Sequence, residues 1–210
     1  MRSLAVLASG QGTNFEALAL AAQRGELGGR IVTLLSDQPD APALARARRL
    51  GIEALHVPAG RFRTRIEDEA PWLEALASRG VEVVLLAGFM RRLHATVLDA
   101  FPDRILNIHP SLLPAFPGLD AITRAWDHGV RVSGCTVHLV EDAVDAGPIL
   151  GQAAVEVRED DTLASFEARI HAAEHRLYPA VVRRFLSDPW RRDGRRVVSG
   201  EAADATGGRR

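Results

Sequence analysis

Asn107 and His109 stand two residues apart in the stretch ILNIHPSLLPAFPG, residues 105–118. The apolar residues around them read as a strand, in which positions i and i+2 share a face. The amide and the imidazole therefore project together, while Leu106 and Ile108 face the other way. Asparagine offers an uncharged N–H donor, and histidine can donate a hydrogen bond or a proton near neutral pH. Two such donors side by side suit an oxygen that gains negative charge in a transition state. A structural asparagine beside a satisfied core histidine would give the same letters, so a carboxylate partner decides between the readings. The stretch EDAVDAGPIL (141–150) offers Glu141, Asp142 and Asp145. Asp145 precedes Ala-Gly-Pro, a turn-forming sequence that can aim it inward. A carboxylate beside a histidine raises its pKa and keeps it protonated. The competing reading of Asp145 is a solvated turn residue.

A second chemical feature is the loop SGQGTN, residues 9–14. Gly10 and Gly12 can adopt backbone angles closed to other residues, and Thr13 and Asn14 fall where a helix begins. Free backbone N–H groups and the helix dipole make such a turn an anion site, with phosphate its natural guest. It is not a dinucleotide fingerprint, because Phe15 stands where the third glycine belongs. A tight turn with a helix cap is the alternative.

The elements that must carry these groups alternate. Strands are expected at 4–9, 30–37, 54–58, 81–88 and 104–109, and helices at 14–25, 41–51 and 65–80, the last started or kinked by Pro71. This rhythm predicts βαβ units and a largely parallel sheet. Because Pro110 ends the strand of Asn107 and His109, both fall at the carboxyl edge of the sheet, where open α/β folds bind ligands. Beyond Pro117 the pattern predicts a helix at 120–129, strands at 131–140 and 151–157, and a long amphipathic helix at 162–188, bent near Pro179. The final residues are polar, small and glycine-rich, and predict a flexible tail over 189–210 after a catalytic domain spanning 1–188.

Composition narrows the chemistry. The 210 residues are 47% hydrophobic and 25% charged, with a formal charge of -1, which fits one globular domain and gives no basic surplus for nucleic acid. All 26 basic residues are arginine, so a lysine Schiff base and a Walker-type phosphate lysine are both excluded. Cys135 is the single cysteine. That rules out an internal disulfide, argues against a cysteine metal site, and suits a reducing cytoplasm. No apolar run approaches membrane-spanning length, and the N-terminus reads as a first strand rather than a signal peptide.

In order along the chain, SGQGTN, LLAGFMRRL (85–93), NIHPSLLPAFPG (107–118), DAGPIL (145–150) and EHRLYP (174–179) resemble the folate-dependent phosphoribosylglycinamide formyltransferases of purine synthesis. The resemblance runs from residue 1 to about residue 186. It implies a mononucleotide-binding, mostly parallel sheet flanked by helices with a folate-binding C-terminal part. The implied reaction passes the formyl group of 10-formyltetrahydrofolate to the amine of glycinamide ribonucleotide, without metal. The resemblance makes Asn107 a hydrogen-bond donor to the formyl oxygen, His109 the oxyanion stabiliser and general acid, and Asp145 the group that keeps His109 protonated. It implies that Gly12, Thr13 and Asn14 hold the substrate phosphate and that Glu174 contacts the ribonucleotide, although by position alone Glu174 reads as an exposed helix residue. It also implies that Met90, Arg91, Arg92 and Leu93, with Asn107, line the folate pocket. Arg91 and Arg92 read otherwise as a solvated charge pair. Arg65 matches the folate-contacting arginine, with Arg61 and Arg63 close by. His138 is at most a supporting residue, and Cys135 carries no chemistry. Asp120 stands where some relatives have histidine.

Other members of the wider group share the Asn-His-Asp set: a formyltetrahydrofolate deformylase and the transferase acting on methionyl-tRNA. The former carries a regulatory domain before the catalytic part and the latter an additional C-terminal domain. Here the first strand opens the chain and a short tail follows residue 186. A non-catalytic nucleotide-binding module would leave the coincidence of three catalytic residue types with a phosphate loop without purpose. The expected partners are small molecules, with no nucleic acid or membrane, for a monomer or homodimer.

Overall fold

The computed structural model describes residues 1–200. Nine strands form one sheet in the order β3-β2-β1-β4-β5-β6-β7-β9-β8. Strands β1 (Arg2–Leu7), β2 (Gly29–Ser36), β3 (Glu53–His56), β4 (Val83–Leu86) and β5 (Ile105–His109) run parallel. Strand β6 (Val132–Leu139) then runs antiparallel to β5, and β7 (Ile149–Glu156) antiparallel to β6. The first half is thus the βαβ array its alternating pattern predicts. Helices α1 (Thr13–Gln23) and α2 (Pro42–Arg49) lead outward from β1, and the chain returns to β4 on its other side. Strand order reverses between β1 and β4, so the loops after those two strands open a crevice at the carboxyl edge.

The parallel strands are buried on both faces, which explains their continuous apolar runs. In β1, Leu4 and Val6 enter the core beneath α1, α2 and the long helix α6 (Leu163–Ser187). Ala5 and Leu7 enter the opposite core with Trp72 and Leu76 of α3 (Ala70–Ala77) and Val97 of α4 (Ala95–Ala100). Leu106 and Ile108 join the first core, as their alternation with Asn107 and His109 requires. The Tyr178 hydroxyl lies 3.0 Å from the carbonyls of both Leu86 and Leu106, tying α6 to β4 and β5 below the site. Helix α5 (Ala121–Asp127) follows the loop after β5.

Three local expectations change. Helix α3 starts at Ala70 rather than residue 65 because Pro71, lacking an N–H, belongs in a first helical turn. The preceding segment instead runs beside the β4–α4 loop, bridging Arg65 to Arg92. Helix α4 is too short to show a period in sequence. Glu69 supplies its start from outside, accepting the His94 N–H at 2.5 Å and the Val97 N–H at 3.1 Å. The third change falls on the tail expected over 189–210. Residues 190–199 form a hairpin, β8 (Trp190–Asp193) and β9 (Arg196–Ser199), and β9 joins the sheet beside β7. Gly194 opens its two-residue turn with φ 60°, as a tight hairpin favours. Trp190 packs on Phe185 with ring centroids 4.9 Å apart. Arginine content hid the Asp-Gly turn and these apolar anchors. The rest of that expectation, residues 201–210, lies outside the described residues.

Candidate active site

A cleft of about 510 Å³ opens at the carboxyl edge of the sheet, a size common for small-molecule sites. Asn107 and His109 line it together with Asp145, Asn14 and Glu174, and the β4–α4 loop forms a further wall. The same-face geometry expected of Asn107 and His109 is therefore present.

Each donor also has a partner. The His109 ring is almost wholly buried, with Nδ1 3.3 Å from Asp145 Oδ2 and Nε2 2.9 Å from the Phe116 carbonyl. Both neighbours are acceptors, so an imidazole bearing hydrogens on both nitrogens satisfies both. Antiparallel pairing sets Asn107 opposite His138. His138 Nδ1 is 2.8 Å from the Leu139 carbonyl, which assigns its hydrogen to Nδ1. Nε2 is then free to accept from Asn107 Nδ2 at 3.2 Å. It also lies 3.6 Å from Asp145 Oδ1. His138 thus sits as a supporting residue behind Asn107, and it faces the same carboxylate as His109. Sequence could show that His138 lies on a strand, but not the register that places it across from Asn107.

Asp145 is turned inward, as its turn sequence suggested. Its backbone has φ 51°, and Oδ2 accepts the Gly118 N–H at 2.7 Å. Burial pushes the carboxyl up. Hydrogen bonds, among them that from the Gly118 N–H, and the charge of the His109 ring outweigh burial and hold it below the usual carboxylate range. Because the folded value lies below the unfolded value of about 3.9, its stabilising contribution is present above about pH 4. That contribution is lost as pH falls through the folded value, so the group is ionised at neutral pH. The turn depends on Gly147: a Cβ there would sit 1.8 Å from the Leu139 carbonyl oxygen. Gly147→Ala is therefore expected to cost about 2–4 kcal/mol, read as a lower denaturant midpoint. An unchanged midpoint would show that the turn relaxes freely.

The glycine loop packs at the other end of the cleft. Gly12 takes φ 73° at the N-terminus of α1, and a Cβ there would lie 2.7 Å from the Ala43 Cβ, so both angle and space demand glycine. The first-turn N–H groups of Thr13 and Asn14 have no partner within the helix, the usual basis of an anion site. Of this loop, Asn14 lines the cleft, whereas Gly12 and Thr13 lie beside it.

Glu174 differs from its reading by position alone. It is 3% exposed, and Oε2 accepts from Asn14 Nδ2 at 2.9 Å and meets His171 Nδ1 at 2.8 Å. The bond to Glu174 raises the His171 pKa. His171 lines the cleft and was missed in sequence, although its i, i+3 spacing from Glu174 is a usable signal. The Asn14 Oδ1 is buried without a partner among the described residues.

The β4–α4 loop supplies Met90, which is 53% exposed, and the buried Leu93. Arg91 is not a solvated charge. Its Nε lies 2.6 Å from Asp37 Oδ2, its Nη1 donates to the Phe62 carbonyl at 2.5 Å, and the Asp37 side chain is fully buried. This ion pair fastens the β4–α4 loop to the end of β2, and the bond to Phe62 ties in the segment before α3. Burial pushes the Asp37 carboxyl up, and hydrogen bonds from Ser9, Arg91 and Gln38 bring it below its ordinary value. Arg92 is exposed at the cleft, with Nη2 donating to the Asp142 carbonyl at 3.1 Å. Arg65 stacks over Phe62, 4.0 Å from the ring centroid, and Thr64 rather than Arg65 lines the cleft. Arg61 pairs with Glu67. Cys135 is fully buried, and burial pushes its thiol up to about 12, consistent with an unreactive residue. No group of three or more His, Cys, Asp or Glu among the described residues is arranged to hold a metal ion. No described helix is long and apolar enough to cross a membrane.

Residues 2–182 match the formyl transferase family. The chain is 42% identical to phosphoribosylglycinamide formyltransferase of Bacillus subtilis over 89% of its own length and 95% of the relative's. With the enzyme of that name from Escherichia coli it shares 35% identity over 96% of its length and 92% of the relative's. The crystal structure of glycinamide ribonucleotide transformylase 1 from Symbiobacterium toebii superposes with a TM-score of 0.91 at 48% identity, covering 96% of this chain and 95% of that one.

Proposed function

The chain belongs to the formyl transferase family, and we infer that its cleft performs the reaction for which relatives matched along most of its length are named. The enzyme transfers the formyl group of 10-formyltetrahydrofolate to the amine of glycinamide ribonucleotide in purine biosynthesis, leaving formylglycinamide ribonucleotide and tetrahydrofolate. The observation that carries the residue assignment is the convergence of Asn107, His109 and an ionised Asp145 in one cleft that also reaches Asn14 and Glu174.

The proposed mechanism assigns the ends of the cleft separately. The substrate phosphate rests on the N–H groups at Gly12, Thr13 and Asn14, where the start of α1 offsets its charge without lysine. Glu174, held by Asn14 and His171, accepts hydrogen bonds from the ribonucleotide. The folate ring lies against Met90, Leu93 and the backbone around Arg91 and Arg92.

The amine nitrogen forms a bond to the formyl carbon, and the carbonyl electron pair moves onto oxygen. Asn107 turns its second Nδ2 hydrogen to that oxygen while His138 retains the first. His109 Nε2 exchanges the Phe116 carbonyl for the same oxygen, and Asp145 balances the imidazolium charge through Nδ1. Collapse re-forms the carbonyl and breaks the bond to the folate nitrogen. That nitrogen gains one proton and the attacking amine loses one, so no net proton is consumed. Catalysis is thus electrostatic stabilisation of an oxyanion plus proton transfer by a positioned acid. The enzyme acts in the cytoplasm as a monomer or homodimer.

The test is tetrahydrofolate formation by purified protein given 10-formyltetrahydrofolate, with and without glycinamide ribonucleotide. Formation that requires the ribonucleotide supports the transferase. Formation without it would indicate a deformylase, and none in either case would refute a formyl-transfer role.

A further inference from the structure

The segment between β6 and β7 carries Asp145, and the C-terminal hairpin grips it on both sides. Arg192 Nη2 donates to Glu141 Oε1 at 2.5 Å, while its Nη1 lies 3.3 Å from Asp103 Oδ1. Arg195, in the hairpin turn, donates from Nη2 to the Ala146 carbonyl at 2.7 Å. Pairing of Arg196 with Ile149 brings that turn beside the end of the segment. The hairpin itself is seated by Trp190 against Phe185.

This grip falls where the backbone needs it. Asp145 is a non-glycine residue with φ 51°, a conformation that persists only where its surroundings over-determine it. Inside the cleft, the Gly118 N–H restrains the carboxylate. Outside, Arg195 restrains the peptide that follows. We propose that Arg195 is a positioning residue for the reaction: by holding the Ala146 carbonyl, the C-terminal hairpin fixes the backbone that aims Asp145 at His109, with Arg192 bracing the start of the same segment. The proposal rests on the assignment of Asp145 above.

Arg195 is exposed, so its hydrogen bond contributes little to global stability. Its effect is geometric, and displacements of about 1 Å in a catalytic group can cost 10²-fold in rate. Arg195→Ala in the full chain is expected to lower kcat about tenfold, with the KM for glycinamide ribonucleotide and the thermal midpoint essentially unchanged. Arg195→Lys, which keeps a cationic donor on a long stem, is expected to retain most of the turnover. In an Asp145→Asn background, followed by single turnover, Arg195→Ala should cause no further loss, because the carboxylate it aims is gone. Unchanged kcat for Arg195→Ala, or an equal loss in both backgrounds, would overturn the proposal. Normal turnover of Asp145→Asn alone would instead locate the failure in the assignment of Asp145.

Discussion

Replacing His109 with asparagine is expected to lower kcat by about 10²–10⁴-fold, the range typical of losing a general acid. The substitution removes the group proposed to meet the developing oxyanion and protonate the departing folate nitrogen. It should leave the KM for glycinamide ribonucleotide within a few-fold of wild type, because the phosphate and Glu174 contacts lie at the other end of the cleft. Asparagine places an amide N–H where Nδ1 stands, so it can keep a donor beside the buried Asp145 carboxylate. A thermal midpoint close to wild type, measured alongside turnover, would separate lost chemistry from lost folding. Wild-type turnover in a folded variant would remove His109 from the reaction.

Asp145→Asn is expected to lower kcat by about 10²-fold or more, again with little change in ribonucleotide KM. The amide is nearly isosteric, and its oxygen can still accept the Gly118 N–H. What it lacks is the charge that offsets an imidazolium at His109. Combined with His109→Asn, the second substitution should cost far less than it does alone, because the two residues act as a unit. Additive losses would mean that Asp145 acts on the substrate through some route other than His109. Since Asp145 is held below the ordinary carboxylate range and is already ionised at neutral pH, raising the pH above neutral should not rescue any variant by charging it.

The pairing of residue types with one strand face was legible from sequence because a strand has a period of two and proline marks its end. That was enough to place Asn107 and His109 at the carboxyl edge and Leu106 and Ile108 in the core. The glycine loop was legible for a similar reason, since only glycine suits the angle and clearance at residue 12. Partnerships across the chain were not. Whether Arg91 meets solvent or Asp37, and whether Glu174 is exposed or held by Asn14 and His171, depends on the packing of distant elements. The hairpin at 190–199 was hidden by composition: its arginines suggested a solvated tail, yet Gly194 and Trp190 carry the turn and the anchor. Register is also invisible in a single sequence, and register is what sets His138 against Asn107.

The most direct test is a crystal structure of the enzyme with glycinamide ribonucleotide and a non-transferable folate analogue bound together. The proposed assignment predicts the phosphate on the N–H groups of Gly12, Thr13 and Asn14. It also predicts the atom mimicking the formyl oxygen within hydrogen-bond reach, about 3 Å, of Asn107 Nδ2 and His109 Nε2, with the Phe116 carbonyl displaced from that ring. A phosphate bound away from the start of α1, or a formyl mimic out of reach of both Asn107 and His109, would contradict it.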